Sequence, residues 1–512
     1  MQCPNRFCRT AAALVWAGLM LARPVRAALE RDCAAQVAPV QALVAQGSFP
    51  AAQAASLAAL DSCPQNPQLY DLLGIAYDEQ GHYQQARAAY QKAIALSPRT
   101  AAFHNNLAVS YYRAGEQAKA IAEFRTAFQL DPHNQFAALN LARYELDQRQ
   151  YRQALRYFQI GGAANSHDPA LLLGFAEACL GAGDSQGGLQ AISSVDQLAG
   201  ADASVHFSAG RLLAEHGQYA AAVKEFESIP ATDRDFAAYQ NLGLAYSHLG
   251  RFEEAKTAYQ AAARLEPSNP EPYLQLGRSA AVAGQWTDAV YWLTHAQARA
   301  PQRPDIVSDL AEALVQARQF DRAQDLLSQA LQTTPHDAAL LKSLGDLDAA
   351  QHRDEPAIGA YRQSLTYAPR RTDARVALAK LYQQMNRLPE AKAEFEQVLR
   401  TAPDNAEANA GLGRIALQAG QTPRALTFLK KALEKESDNL DANEDLATIQ
   451  LRQGSAAEAQ DTLEKLVKLD PDNPRFHYLL GQALLKAGKK QDAQREFNRS
   501  QELMTARAKT NE

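Results

Sequence analysis

Apolar and small residues recur along this chain at spacings of three and four, which is the period of one face of an α-helix. A small residue returns every 34 residues, with a single 33-residue step from Ala222 to Ala255. Another small residue usually precedes it by twelve positions, and a bulky apolar residue, often aromatic, follows it by four. These positions predict two amphipathic helices per unit. The repeated small positions are Ala52, Ala86, Ala120, Ala154, Gly188, Ala222, Ala255, Ala289, Ala323, Ala357, Ala391, Ala425, Ala459 and Ala493.

Glycine and proline mark the ends of the predicted helices. Glycines such as Gly81 lie in the middle of most units, where a left-handed residue can end the first helix. Prolines such as Pro98 lie near the end of most units, where the missing amide hydrogen stops the second helix. Because one helix pair cannot bury its apolar stripe alone, neighbouring pairs must stack. The sequence therefore predicts an all-α solenoid of about fourteen helix-turn-helix units, from Cys33 to about Arg507.

The pattern resembles the tetratricopeptide repeat over nearly the whole predicted mature chain. The resemblance implies a right-handed superhelix in which the first helices line a concave face, and an adaptor function. In one unit, the residues that match the family pattern are Leu242, Gly243, Tyr246, Gly250, Phe252, Ala255, Tyr259, Ala262 and Pro267.

Two irregularities divide the predicted solenoid. Repeat five has the helix start Asp184-Ser185-Gln186-Gly187-Gly188, which is poor because glycine costs about 1 kcal/mol relative to alanine. It is either a hinge or simple drift of the sequence. Together, the irregular repeat five and the 33-residue step predict an N-terminal arm at 28–202 (repeats 1–5) and a C-terminal arm at 203–507 (repeats 6–14). A polar tail follows at 508–512.

The first 27 residues have the pattern of a secretory signal peptide. Arg6 and Arg9 precede an apolar run from Ala11 to Ala22, and Val25-Arg26-Ala27 is typical of a cleavage site. The alternative is an uncleaved anchor, but the run is short against the roughly 18 residues that a membrane helix needs. We therefore expect a protein exported to the periplasm or the extracellular space, with no integral membrane segment after signal removal.

The net charge argues against nucleic acid as a partner. The chain carries −5, and the signal region contains four arginines and no acids, so the mature chain carries −5 − 4 = −9.

Cys33 and Cys63 are the first and thirty-first residues of repeat one. In an antiparallel helix pair these positions lie close together, and export favours a disulfide between them. The alternative is two free thiols.

The resemblance implies that ligands lie against the second, fifth, sixth, ninth, twelfth and thirteenth positions of each first helix. Cations at the ninth position would favour an acidic peptide or a carboxylate terminus. The alternative is ordinary solvated surface, since other units have an acid there. Asparagine at the sixth position can hydrogen-bond a peptide backbone. The predicted peptide-binding residues are Asn106, Asn140, Arg143, Arg211, Asn241, Arg278, Lys380 and Arg414.

No catalytic or metal-binding motif is evident in the sequence. The eleven histidines show no paired ligand spacing, and the glycine-rich stretches fall on ordinary repeat positions. We therefore predict no cofactor, no metal and no enzymatic activity. The expected function is a scaffold that binds proteins or extended peptides. The alternative is a component of a polysaccharide or protein export or envelope-assembly complex, in which the solenoid guides a polymer such as a glycan, or the enzyme that acts on it. The aromatic contacts in that case would be Tyr112, Phe136 and Phe207.

Overall fold

The computed structural model describes residues 33–200 and 202–510, and this part of the chain is an all-α solenoid of stacked helix pairs. The predicted fold class is therefore confirmed. The predicted signal peptide at 1–27 lies outside the described residues. Among the described helices, none is long and apolar enough to cross a membrane.

The helices fall into two compact units that meet in sequence between Leu249 and Gly250. The proposed arm boundary near residue 202 stays a prediction. The first unit contains α1 (33–45), α2 (Phe49–Ser62), α3 (Pro67–Glu79), α4 (Tyr83–Leu96), α5 (Ala101–Arg113), α6 (Gln117–Leu130), α7 (Gln135–Asp147), α8 (Tyr151–Ile160), a 3-10 turn (Ala163–Asn165), α9 (Pro169–Ala182), α10 (Ser185–Ala199), α11 (Ala203–Glu215), α12 (Tyr219–Ser228) and α13 (Phe236–His248).

The second unit is more regular. Its helices are α14 (Phe252–Leu265), α15 (Glu271–Val282), α16 (Trp286–Arg299), α17 (Pro304–Gln316), α18 (Phe320–Thr333), α19 (Ala338–Ala350), α20 (Asp354–Tyr367), α21 (Thr372–Gln384), α22 (Leu388–Thr401), α23 (Ala406–Gln418), α24 (Thr422–Lys435), α25 (Leu440–Gln453), α26 (Ala456–Leu469), α27 (Pro474–Lys486) and α28 (Lys490–Thr510).

Within each unit, consecutive helices pack on one another, and first helices also contact the first helix of the next repeat. The odd-numbered helices are the first helices of their repeats. Small residues allow the close approach inside a pair. At Gly74, an added Cβ would lie 2.5 Å from the buried ring of Tyr90, so a larger residue would displace that ring.

The turn between the two helices of a repeat always contains one residue with a left-handed backbone. Glycine fills this position in ten of the repeats, as at Gly81 with a φ of 78°. In the other four the residue is Arg149, Arg318, His352 or Asn386, each with a positive φ. The chain therefore accepts a strained conformation at these four turns to keep the same helix–helix angle.

The predicted weak helix start in repeat five does form a helix. Asp184 accepts a hydrogen bond from the backbone N–H of Gly187 at 2.9 Å, and α10 runs on to Ala199. A cap of this type offsets part of the cost of the two glycines. Whether repeat five acts as a hinge stays a prediction. The 33-residue step coincides with a short α12, which ends at Ser228 just before Pro230.

Candidate binding surface

The candidate site is the first-helix surface, defined as the side chains at the second, fifth, sixth, ninth, twelfth and thirteenth positions of the odd-numbered helices. Their spacing places these positions on one side of each helix. The fifth position, as at Phe207, also contacts the second helix of its own repeat. The predicted peptide-binding residues all lie on this surface. Their hydrogen-bond and ion-pair partners differ between the two units.

In the second unit, cations at the ninth position bind carboxylates of the following repeat. Arg278 donates from Nε to Asp309 Oδ2 at 2.6 Å. Arg414 donates from Nε to Asp445 Oδ2 at 2.9 Å, and its Nη2 lies 3.0 Å from Asp441 Oδ1. We call these contacts, together with the pair described next, the inter-repeat ion pairs.

Lys380 adds a third inter-repeat contact, with Glu407. The acids in these contacts are partly withdrawn from water. Burial raises the pKa of Asp445 to about 6, although the charge and the hydrogen bond of Arg414 lower it. Burial also raises the pKa of Asp309, against the effect of Arg278. The predicted cationic stripe is therefore neutralised by neighbouring acids in this unit.

The cations of the first unit are arranged differently. Arg211 pairs with Glu215 one turn along the same helix, and both side chains are about half exposed. Arg143 is exposed on α7. The Arg211 pair does not join one repeat to the next, whereas Arg113, at the thirteenth position of α5, pairs with Asp78 and Glu79 of the preceding repeat.

The predicted asparagines of the first unit also have different partners. Asn106 donates from Nδ2 to both carboxylate oxygens of Asp71 in the preceding repeat, at 2.9 and 3.2 Å. Burial raises the pKa of Asp71 to about 7, although this hydrogen bond lowers it. Asn140 and Asn241 instead donate to backbone carbonyls four residues earlier in their own helices, both at 2.9 Å.

Two adjacent cavities open on the first-helix surface of the second unit. One, of about 390 Å³, lies between α21 and α23, and its lining includes the ring of Phe395. Gly411 also lines it, and a Cβ added there would lie 2.3 Å from that ring. The other, of about 470 Å³, lies between α17, α19 and α21. Lys380 and Gln384 line both cavities, and the other side-chain amides are those of Gln316, Gln383 and Gln418.

Exposed aromatic side chains mark the first-helix surface of the first unit. Tyr112 is 62% exposed and Phe136 is 73% exposed, although both side chains are large and mainly apolar. Phe207 is only half-buried and packs against the ring of Phe226 with centroids 6.0 Å apart. Two of the three predicted aromatic contacts are thus freely accessible to a ligand.

Near the N-terminal end of the described chain, Cys33 and Cys63 are joined by a disulfide with a Cα–Cα distance of 5.7 Å. Cys179 is a free, buried thiol on α9. Burial raises the pKa of Cys179 to about 11, so this thiol has little reactive thiolate at neutral pH.

Sequence reasoning identified the cations but missed their acidic partners and the glutamines. The acids carried a usable signal, because Asp441 and Asp445 follow Arg414 by 27 and 31 residues and thus fall on the second and sixth positions of the next repeat. The glutamines carried a weaker signal, since amides are also ordinary residues of a solvated helix face.

The fold and this surface define a helical-repeat protein with an extended polar face. Comparison with family models identifies the repeat. Three models described as tetratricopeptide repeat match residues 72–134, 236–269, 280–347, 376–440, 416–482 and 450–504. The chain belongs to the tetratricopeptide repeat family, and this membership supports a role as a protein-binding scaffold.

Individual relatives are distant. The Protein CTR9 homolog of Arabidopsis thaliana is 28% identical over 138 residues, which are 25% of this chain and 12% of the plant protein. The chain therefore matches only a small part of that relative. Yeast Tom70 is 14% identical, with a TM-score of 0.42 over 86% of this chain and 98% of that one. Cut9 in the Cut9-Hcn1 assembly of the APC/C is 13% identical, with a TM-score of 0.40 over 87% and 95%.

Proposed function

We propose that this protein is an exported, non-catalytic scaffold that binds an extended polypeptide segment along the first-helix surface of α17 to α23. The observation that carries the proposal is the pair of adjacent cavities that share Lys380 and Gln384. Together they extend across successive repeats, and their lining contains both polar and apolar side chains.

The lining suits a peptide backbone. Each glutamine side chain offers one acceptor oxygen and two N–H donors, and an extended backbone offers both kinds of partner at almost every residue. The three cations beside these amides, Lys342, Lys380 and Arg414, are each paired with an acid, so the cavities do not require a strongly charged ligand. Many weak contacts on a preformed surface add up to useful affinity, since little ordering is required of the protein.

Export is supported by the disulfide in repeat one, which follows the predicted signal peptide closely. Disulfides persist in oxidising compartments and are rare in the cytosol. We expect the mature protein, purified from its own cells without reductant and then denatured, to show one titratable thiol, that of Cys179. Three thiols, from Cys33, Cys63 and Cys179, would contradict both the bond and the proposed compartment.

Site-specific photo-crosslinking in the native cells tests the binding proposal. A photo-reactive amino acid replaces Gln384, which lines both cavities and is exposed. The matched control replaces Gln363, an exposed glutamine on the second helix α20. We expect protease-sensitive adducts from position 384 and none from position 363.

Mass spectrometry of the adduct then defines the ligand. Crosslinks that fall on one unstructured stretch of a partner chain would support the proposal. Equal labelling at both positions, or a protease-resistant glycan adduct, would contradict it. The second result would favour the polymer-guiding alternative instead.

A further inference from the structure

Three repeats of this protein share a buried histidine that bridges a glutamate and a backbone carbonyl. His104 Nδ1 lies 2.7 Å from Glu123 Oε2, and its Nε2 lies 3.1 Å from the carbonyl oxygen of Pro98. His477 makes the same contacts with Glu496 and Pro471, at 2.6 and 2.8 Å. These two sites form an internal reference for the third.

The third site, in repeat six, contains an additional carboxylate. His206 Nδ1 lies 2.9 Å from Glu225 Oε2 and 3.8 Å from Asp196 Oδ1, while its Nε2 lies 2.9 Å from the carbonyl oxygen of Gly200. Ten residues before the histidine, where repeat six has Asp196, the reference sites have Ile94 and Val467. The added acid is therefore a specific departure from the repeated pattern.

We propose that Asp196, His206 and Glu225 bind one divalent transition-metal cation of the Zn²⁺ type. Their ligand atoms all lie within 4.8 Å of one another. Bonds of about 2.0–2.2 Å to a tetrahedral cation place ligand atoms about 3.3 Å apart, so modest side-chain rotations would bring all three into place.

The charge of the site favours a cation over the arrangement of the reference sites. With both carboxylates ionised, a protonated imidazole would leave a net charge of −1, whereas a divalent cation with neutral imidazole gives zero. Without a cation, the balance requires a further proton on a carboxylate, and burial together with the neighbouring Asp196 raises the pKa of Glu225. Burial makes this difference costly, because the side chains of His206 and Glu225 are only 7% and 4% exposed. The glutamates of the reference sites are 28% and 27% exposed, and in the described part of the chain no second carboxylate joins either pair as Asp196 does in repeat six.

Two further features suit a metal ligand set. Asp196 Oδ1 is shielded from solvent and has no hydrogen-bond partner among the described residues, so it is available to a cation. The carbonyl of Gly200 can accept the Nε2 proton of His206 and thereby direct the Nδ1 lone pair towards the two carboxylates. Metal-bound histidines commonly have such a partner on the other ring nitrogen. The Asp196 side chain is 27% exposed, which leaves a route for the ion.

The three ligands come from three helices, α10, α11 and α12, which span the junction of repeats five and six. A bound cation would therefore hold α10 against the following repeat. Sequence spacing alone does not indicate such a site, because its residues are 10 and 19 positions apart and meet only when the repeats stack.

The test is a titration of metal-stripped, untagged protein with Zn²⁺ alone, followed by calorimetry. We expect one equivalent to bind to the wild type. Asp196→Ile, which copies repeat three, should weaken binding by more than about tenfold, since even the outer partners of metal ligands are worth about 10–100-fold. Asp196→Asn should do the same with the polar surface retained, and the control His104→Gln should not change binding.

The reciprocal variant Ile94→Asp adds a carboxylate to the reference site of repeat three and should create a second equivalent. Hydrogen exchange provides an independent measurement: Zn²⁺ should slow amide exchange in α10 of the wild type and not in Asp196→Asn. Failure of the wild type to bind Zn²⁺ would overturn the proposal, as would equal binding by Asp196→Asn.

Discussion

The first-helix surfaces of the two units differ in chemistry although they are built on the same repeat. In the first unit, Tyr112 and Phe136 are exposed, and Asp71 has an amide partner. In the second unit, Lys380 and Arg414 are paired with acids of the next repeat. Because the helix pairs themselves are alike, a few surface positions decide which ligand each region can hold. Around Tyr112 and Phe136 a ligand would gain from apolar burial, and around Gln384 it would also gain from hydrogen bonds to side-chain amides.

The largest expected effect comes from breaking one inter-repeat ion pair. Arg414→Ala leaves Asp445 without its partner, and Asp445 is only 11% exposed. Removing one partner of a buried pair costs about 3–5 kcal/mol, and we expect about 2 kcal/mol in the free energy of unfolding because Arg414 is partly exposed. Denaturant unfolding followed by circular dichroism measures the loss.

Arg211→Ala is the matched control in the first unit. Its partner Glu215 is half exposed, so we expect a change within about 0.5 kcal/mol. Equal losses in the two variants would mean that the inter-repeat pairs contribute no more than a surface contact, and the contrast between the regions would not extend to stability.

The next prediction concerns the pH dependence of the free energy of unfolding, which should differ between the contributions of Asp71 and Asp445. Burial raises the folded pKa of Asp71 to about 7 from its ordinary value of 3.8, so the folded state binds a proton that the unfolded state has released in that range. The contribution of Asp71 to stability is therefore fully present below about pH 4 and is lost as the pH rises through about 7. For Asp445 the same loss ends near pH 6, because Arg414 offsets part of the burial.

Asp71→Asn should remove this pH dependence. Relative to the wild type, the variant should gain on the order of 1–2 kcal/mol between pH 5 and pH 8. A pKa change of this size would give about 4 kcal/mol, but Asp71 lines a cavity of about 1040 Å³ beside the disulfide, where solvent screens the charge. Unfolding curves across this pH range provide the measurement. A constant difference between variant and wild type would show that Asp71 titrates normally.

A smaller effect tests whether the two units differ in the free-energy cost of their left-handed turns. Arg149 in the first unit and Arg318 in the second both have a φ of 56°, a region that disfavours side chains. Arg149→Gly and Arg318→Gly should each stabilise the protein by about 0.5–1 kcal/mol, since glycine adopts this conformation readily. Thermal unfolding measures both. Unequal gains would indicate that one arginine makes a compensating contact.

Most of the fold could be predicted from the sequence, because the 34-residue spacing of small residues directly reports where helices must approach closely. Gly74 against Tyr90 is an example, since the sequence already pairs a small residue with a ring sixteen positions later. The left-handed turns at Arg149 and Arg318 could not be recognised from residue type, because the repeat geometry imposes a conformation that these residues do not favour.

The candidate site was less predictable. The cations were identified, but the charge of the surface depends on which acids the stacking places beside them. Arg211 shows the difficulty: it occupies the same position as Arg414, yet it pairs along its own helix. One of the two cavities is lined by the ring of Phe395 facing Gly411, a contact between helices that no local pattern describes.

The smallest expected effect concerns the exposed pair Lys380–Glu407, which lies at the edge of a proposed peptide-binding cavity. A double-mutant cycle with Lys380→Gln and Glu407→Gln should give a coupling of about 0.5 kcal/mol, and 1 M salt should largely remove it because the screening length is then about 3 Å. The pair Arg211–Glu215 should give a similar value. If the two couplings agree, the inter-repeat position of Lys380 adds nothing to stability, and its role is better assigned to the ligand. A salt-resistant coupling well above 1 kcal/mol would instead make this pair part of what holds the repeats together.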